Sequence, residues 1–193
     1  MPYKIAVFAS GRGSNTQNII DVFKDKDIEV ALIVSNNPDA GVLEIAKSNN
    51  IPYLIIDRND LYNSSDFVKY LIEKDFDLIV LAGFLWLIPK ELVIYFKNKI
   101  INIHPALLPK YGGKGMYGMK VHQAVKNAGE RNSGITIHYV NENFDEGNII
   151  FQAKTEINVS DKPEDIANKI HLLEYRYFPE VIEKILKKEK ISY

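Results

Sequence analysis

The chain has 193 residues, enough for one domain with a sizeable core. Its formal net charge of −1 excludes the broad basic field with which many proteins attract nucleic acid or acidic membranes. Because it has no cysteine, it has no disulfide, no thiol nucleophile and no cysteine-ligated zinc.

Short apolar segments alternate with amphipathic ones along the first hundred residues. The apolar segments predict strands buried on both faces, and they run over Lys4 to Ser10, Val30 to Ser35, Tyr53 to Asp57, Leu78 to Gly83 and Ile100 to His104. Such nearly continuous hydrophobic strands are typical of parallel sheets covered by helices. The helical patterns lie near residues 15–25, 40–49, 64–74 and 89–96. This order predicts an α/β fold with a doubly wound, mostly parallel sheet.

The pattern changes after about residue 130. The segments "GITIHYV" and "GNIIFQAKTEI" flank the loop "NENFDEG", which predicts an antiparallel strand pair. A long final helix follows, with Asp161 as its predicted cap and Pro163 in its first turn. We therefore predict a single domain over residues 1–193, ending in this strand pair and this helix.

The first predicted strand ends in a small polar loop, Gly11-Arg12-Gly13-Ser14-Asn15. Ser14 to Gln17 fits a capping box, so Ser14 is predicted to cap a helix that begins at Asn15. A helix N-terminus at the carboxyl end of a strand attracts anions, and Arg12 adds a positive charge. Thr16 breaks the dinucleotide fingerprint, which favours a single phosphate. A plain strand-to-helix turn explains the loop nearly as well.

The fifth predicted strand ends in the polar pair Asn102 and His104. Strand alternation places both side chains on one face. The amide can donate to an oxyanion and the imidazole can move a proton, although a strand-end pair without chemistry is equally consistent. Asp145 is the candidate carboxylate that would raise the pKa of His104 and orient it, although a lone aspartate in such a loop is more often a turn residue.

Two further groups are open to more than one interpretation. His138 shares a strand face with Thr136 and either packs in the core or lines a site, whereas His122 and His171 are predicted to lie on the surface. The run Leu85-Trp86-Leu87-Ile88 forms either an apolar wall for a flat ring or ordinary core. The sequence has no spacing typical of metal ligands, so we predict no metal.

Four motifs together carry a resemblance that covers essentially the whole chain. In chain order, "GRGSN", "LAGF", "NIHPALLPKYGG" and "FDEG" are similar to the folate-dependent formyltransferases. The resemblance implies a Rossmann-like formyltransferase fold. The glycine-rich loop is most similar to the family member that formylates glycinamide ribonucleotide in purine synthesis, with 10-formyltetrahydrofolate as donor and no metal.

By this resemblance, Asn102, His104 and Asp145 match the catalytic residues of the family. Gly13, Ser14 and Asn15 match its phosphate loop, here extended by Gly11 and Arg12. Glu174 matches a carboxylate that holds the glycinamide end of the substrate.

The folate site implied by the resemblance runs along Leu85, Trp86, Leu87 and Ile88, with Asn102 at the formyl group. Trp86 and the pair Ser64 and Ser65 stand where the family often has arginine. The resemblance implies a cytoplasmic enzyme, monomer or homodimer, that acts on two small molecules and on neither nucleic acid nor membrane. A formylfolate hydrolase and a non-catalytic nucleotide-binding module are the alternatives.

Overall fold

The computed structural model describes residues 2–191. The chain divides within one strand into two compact units, Met1–Asn102 and Ile103–Tyr193, called here the first and the second unit. The single domain expected over residues 1–193 stays a prediction.

The first unit alternates strands and helices around a parallel sheet. Its elements are β1 (Tyr3–Phe8), α1 (Ser14–Phe23), β2 (Ile28–Ser35), α2 (Gly41–Ser48), β3 (Tyr53–Ile55), α3 (Arg58–Tyr62), α4 (Ser65–Lys74), β4 (Leu78–Leu81), α5 (Lys90–Tyr95) and most of β5 (Ile100–His104). The strand order is β3-β2-β1-β4-β5, and the pairs within this unit are parallel. The predicted parallel sheet is confirmed.

The middle strand of this sheet forms the centre of its core. Residues 5–8 of β1 are fully buried because β2 and β4 flank the strand and helices cover its faces. The ring of Phe8 lies 6.0 Å from that of Phe67 on α4 and 5.4 Å from that of Phe84. Burying such a side chain stabilises the fold by roughly 1.5–3 kcal/mol.

Strand β3 differs from its prediction. Tyr53 and Ile55 are 40% and 48% exposed, because β3 has a neighbour on one side only. The strand also ends before Asp57, which instead caps the short helix α3. Asp57 accepts a hydrogen bond from the Asp60 N–H at 2.8 Å, and Asp60 accepts one in return at 2.9 Å.

The second unit contains the end of β5, then α6 (Met119–Asn127), β6 (Asn132–Tyr139), β7 (Ile149–Glu156) and α7 (Pro163–Leu186). In the strand order β6 follows β5, and β7 pairs with β6 in antiparallel register. Along α7, the side chains of Ile166, Ile170, Phe178 and Ile182 are fully buried, and their spacing marks one apolar face. The predicted strand pair and long final helix are confirmed.

The cap of α7 differs by one residue from its prediction. Lys162 is the N-cap position, and its N–H donates to Asp165 at 2.8 Å. Asp161 lies in the preceding turn, where it accepts from the Asn158 N–H at 2.9 Å. Among the helices of residues 2–191, none combines the length and the apolar character needed to cross a bilayer.

Candidate active site

The polar loop of the first unit leads directly into α1. The helix begins at Ser14, one residue earlier than predicted, with Gly13 as N-cap at φ 81°. The Gln17 N–H donates to the Gly13 carbonyl at 2.8 Å, and the Gln17 side chain bonds Asp21 instead of reaching back. Ser14 is therefore not the cap. Because no side chain caps the helix, its N-terminus offers backbone donors and a positive dipole end to an anion.

Helix α2 holds the loop in place through close side-chain packing and one backbone hydrogen bond. A Cβ atom on Gly13 would lie 2.8 Å from side-chain atoms of Val42 and Ile45. The Val42 N–H donates to the Gly11 carbonyl at 3.1 Å. Glycine is therefore required at position 13 for two reasons, its positive φ and the close approach of helix α2. Any other residue would be strained there.

One hydroxyl links the ends of three strands in the first unit. The Ser10 Oγ, just after β1, donates to Asn36 after β2 at 2.6 Å and accepts from the Leu85 N–H after β4 at 2.9 Å. These polar contacts fix the carboxyl edge of the sheet, where ligands of open α/β sheets bind.

The predicted apolar wall is divided between surface and core. Leu85 is 43% exposed, whereas Ile88 is 2% exposed and belongs to the core. The Trp86 ring lies near Tyr62 and Phe84, and the Arg58 guanidinium stands 4.9 Å from its centroid, within cation–π range. Arg58 was not singled out by the sequence, because its helix was not predicted.

Asn102 is half-buried on β5, opposite Leu81 of β4. Two residues further along the same strand, His104 is 3% exposed. Both residues lie within β5, so the strand alternation from which the shared face was predicted applies to them.

In the second unit, Asp145 lies between two buried histidines. Its Oδ2 is 3.4 Å from His104 Nδ1, and its Oδ1 is 3.6 Å from His138 Nε2. Its Oδ2 also accepts from the Gly113 N–H at 2.9 Å. His138 is 2% exposed, and its Nδ1 donates to the Tyr139 carbonyl at 2.9 Å. We call His104, His138 and Asp145 the histidine–carboxylate group.

The ionisation of this group follows from burial and charge together. Burial lowers the pKa of His104, and the nearby Asp145 carboxylate and Tyr111 carbonyl offset this only in part, so the net pKa is lowered. Asp145 raises the pKa of His104, as predicted, but the larger effect of desolvation makes the net pKa lower than that of a free histidine. Burial raises the pKa of Asp145, but contacts with His138, His104 and the Gly113 N–H outweigh it, so the net pKa is lowered. The group at neutral pH is therefore an ionised carboxylate beside an imidazole that readily stays neutral.

The chain after His104 is anchored to β6 by a hydroxyl. The Thr136 Oγ1, fully buried, donates to the Ala106 carbonyl at 2.7 Å and accepts from the Leu108 N–H at 3.0 Å. Gln152 on β7 donates to the same hydroxyl at 2.9 Å and to the Leu108 carbonyl at 3.1 Å. The sequence pattern placed Thr136 on the face of His138 but gave no sign of these partners.

Glu174 on α7 is 5% exposed, and its Oε2 lies 2.9 Å from His171 Nδ1. The His171 side chain is 46% exposed, in agreement with its predicted surface position. The histidine is the kind of polar partner that a buried carboxylate requires.

His122 lies on the buried face of α6 and is 3% exposed, so its predicted surface position is wrong. Its Nδ1 has no hydrogen-bond partner among residues 2–191. Burial is the main reason that its pKa falls to about 4, partly offset by Glu174 and reinforced by His171 and His104. The available signal was the spacing of Val121 and Val125, whose helix face includes His122.

No group of histidine, aspartate and glutamate among the described residues is arranged to hold a metal ion. The chemistry supported by the side chains is hydrogen bonding and proton transfer by the histidine–carboxylate group, with anion binding at the start of α1.

Comparisons with known proteins all identify formyl transferases as relatives of this chain. Residues 3–182 match the family model described as formyl transferase. The chain is 43% identical to "Phosphoribosylglycinamide formyltransferase, chloroplastic" of Arabidopsis thaliana over 94% of its length, and spans 65% of that longer protein. It is 40% identical to phosphoribosylglycinamide formyltransferase of Bacillus subtilis (strain 168), covering 95% of this chain and 94% of the relative.

A solved structure shows the same fold. The crystal structure of phosphoribosylglycinamide formyltransferase from Anaplasma phagocytophilum is similar with a TM-score of 0.87 at 33% identity. The match covers 97% of this chain and 89% of that one.

Proposed function

Because the chain belongs to the formyl transferase family, we propose that it transfers a formyl group from 10-formyltetrahydrofolate to the amine of 5′-phosphoribosylglycinamide. The names of the relatives give the acceptor and the transferred group, and the donor belongs to the proposal. The reaction is a step of purine synthesis. The observation that carries the proposal is the buried pair of His104 and Asp145, which stands on the family's motif residues with a separation of 3.4 Å.

The reaction is a direct acyl transfer. The substrate amine attacks the formyl carbon and forms a tetrahedral intermediate, and the bond to the folate nitrogen then breaks. Asn102 donates a hydrogen bond to the developing oxyanion. The lowered pKa of His104 lets it begin as the neutral base that takes the amine proton, and it then returns that proton to the leaving folate nitrogen. The ionised Asp145 stabilises the transient imidazolium.

Binding groups are assigned in the same proposal. Gly11, Arg12, Gly13, Ser14 and Asn15 hold the ribose phosphate, which is supported by the uncapped N-terminus of α1. Glu174 holds the glycinamide amine end. Leu85, Trp86 and Leu87 line the pterin of the folate, with the buried Ile88 packed in the core behind them, and the cation–π contact of Arg58 orients the indole. The enzyme works in the cytoplasm on two small molecules.

One assay tests the proposal against its alternatives. Purified protein is mixed with 10-formyltetrahydrofolate, with and without 5′-phosphoribosylglycinamide, and the deformylated folate is followed by its absorbance. Product that depends on the ribonucleotide is expected. Product without the ribonucleotide indicates a hydrolase, and no product in either mixture indicates a binding module. Either of these last two outcomes contradicts the proposal.

A further inference from the structure

The segment that follows β5 touches two members of the histidine–carboxylate group, His104 and Asp145. The carbonyl of Tyr111 lies 2.7 Å from His104 Nε2, and the N–H of Gly113 lies 2.9 Å from Asp145 Oδ2. Gly112, between these two residues in the chain, packs closely against Asp145, since a Cβ there would lie 3.2 Å from the Asp145 Cβ. Residues 111–113, called here the clamp, therefore contact the imidazole through an acceptor and the carboxylate through a donor.

The clamp determines which nitrogen of His104 carries the permanent proton. A carbonyl oxygen can only accept, so the 2.7 Å contact requires a hydrogen on Nε2. In the neutral ring, Nδ1 then has no hydrogen, and it faces the Asp145 carboxylate at 3.4 Å. Nδ1 is consequently the nitrogen at which a proton can be gained and lost.

The clamp requires an external support. Tyr111 has φ 59°, a left-handed conformation that is unfavourable for a bulky aromatic residue. Its hydroxyl donates to Glu130 Oε1 at 3.0 Å, in the turn between α6 and β6. Lys110 also donates to that oxygen at 2.8 Å, and these two contacts lower the pKa of Glu130, with Lys110 the larger cause. Glu130 is thus an ionised acceptor placed at the one polar atom of the Tyr111 side chain.

We infer that Glu130 is a positioning residue that acts through Tyr111 to keep a proton on His104 Nε2, so that Nδ1 is the nitrogen that takes and returns the proton during catalysis. The catalytic half of this inference rests on the proposed function. The tautomer half concerns the protein alone and is measured without substrate.

The tautomer is measured by NMR of ¹⁵N-histidine-labelled protein, with the His104 signals assigned through the His104→Asn variant. Wild type is expected to show the Nε2–H tautomer. Tyr111→Phe and Glu130→Ala each remove one side of the supporting hydrogen bond, and both are expected to mix the tautomers. Glu130→Gln retains an acceptor oxygen and is expected to keep the wild-type signals. Glu180→Gln is the matched control, since it removes a glutamate paired with Lys184 on α7, away from the clamp.

Kinetics test the catalytic half. Tyr111→Phe and Glu130→Ala are expected to lower kcat by about tenfold, the value of one hydrogen bond, with KM for both substrates little changed. The double variant is expected to be no slower than either single variant, because both act on one contact. Glu130→Gln restores the rate if the acceptor oxygen is what matters.

The pH profile separates positioning from general loss of structure. His104 is faced by Asp145, His138 and Glu174, and by His122 of α6, all of which the variants retain. The apparent pKa of His104 in the pH dependence of kcat is therefore expected to shift in Tyr111→Phe and in Glu130→Ala, but not in Glu180→Gln.

Two results overturn the inference. One is an Nδ1–H tautomer in the wild type. The other is an unaltered tautomer in both Tyr111→Phe and Glu130→Ala, whether kcat is unchanged or falls only with the melting temperature. A wild type that lacks formyl transfer but shows the expected tautomers contradicts the proposed function and the catalytic half, and leaves the tautomer half standing.

Discussion

The proposed phosphate loop of the first unit, residues 11–15, and the histidine–carboxylate group of the second unit differ in how far each is exposed to water. In the loop, Gly11 and Arg12 are exposed and the conformation is carried by backbone and by the positive φ of Gly13. In the group, His104 and His138 are 3% and 2% exposed, and each fixes one ring nitrogen on a backbone carbonyl. The charge of the loop is in contact with water, whereas the group has lost most of its water.

This difference predicts how each region contributes to catalysis. Solvated donors at a helix N-terminus bind ground state and transition state about equally, so their loss raises KM. Donors and bases held in a desolvated site act most strongly on developing charge, so their loss lowers kcat. The comparison fails if variants of the two regions produce the same kinetic pattern.

The largest effect is expected at the end of β5. His104→Ala and Asn102→Ala should each lower kcat by about a hundredfold or more, because in the proposed mechanism they remove the proton carrier and an oxyanion donor. Steady-state kinetics on purified variants measure this, and circular dichroism verifies that the fold remains. Near-normal turnover in either variant would remove that residue from the proposed mechanism.

The same contrast explains what the sequence could predict. The loop could be predicted from residues adjacent in the chain, since a glycine, a strand end and a helix start are local features. Only the cap of α1 was predicted wrongly, because Gly13 and not Ser14 takes the N-cap position. The clamp could not be predicted. Its contacts join Tyr111 to Glu130 and Gly113 to Asp145, which are 19 and 32 residues apart, and no local pattern encodes such pairs.

Ionisation was the least predictable property of the second unit. A carboxylate beside His104 suggested a raised pKa, but the balance depends on burial, which the sequence does not quantify. Burial lowers the pKa of His122 as well, and its predicted surface position was wrong because the structure buries that face of its helix. The only sequence signal of this burial was the helical spacing of the neighbouring apolar residues.

The second effect, intermediate in size, concerns His122 and protein stability. Its folded pKa is about 4, whereas an unfolded histidine titrates near about 6.5, so only the unfolded chain takes up this proton between those values. The contribution of His122 to the free energy of unfolding is therefore fully present above the unfolded pKa, and it is lost as the pH falls from there toward the folded pKa. Between pH 7.5 and 4.5 the loss should be about 2.5 kcal/mol. Urea unfolding at both pH values measures it.

The His122→Leu variant should show a pH dependence of stability that is smaller by that amount. The exposed Gln123 of the same helix supplies the control, since Gln123→Leu removes no titrating group and should leave the pH dependence unchanged. If wild type and His122→Leu lose the same amount of stability between the two pH values, then burial does not lower the pKa of His122 and this explanation is wrong.

The smallest effect is expected in the phosphate loop. Arg12 is exposed, so its charge is screened in the free protein and acts mainly when a phosphate displaces water beside it. Arg12→Ala should therefore raise KM for the ribonucleotide by about tenfold, the value of one charge-assisted hydrogen bond, and leave kcat and KM for the folate nearly unchanged. Lys24→Ala, at the opposite end of α1, removes the same charge and should change none of these constants. An unaltered ribonucleotide KM in Arg12→Ala would assign phosphate binding to the backbone of the loop alone, whereas a fall in kcat would abolish the kinetic distinction between the two regions.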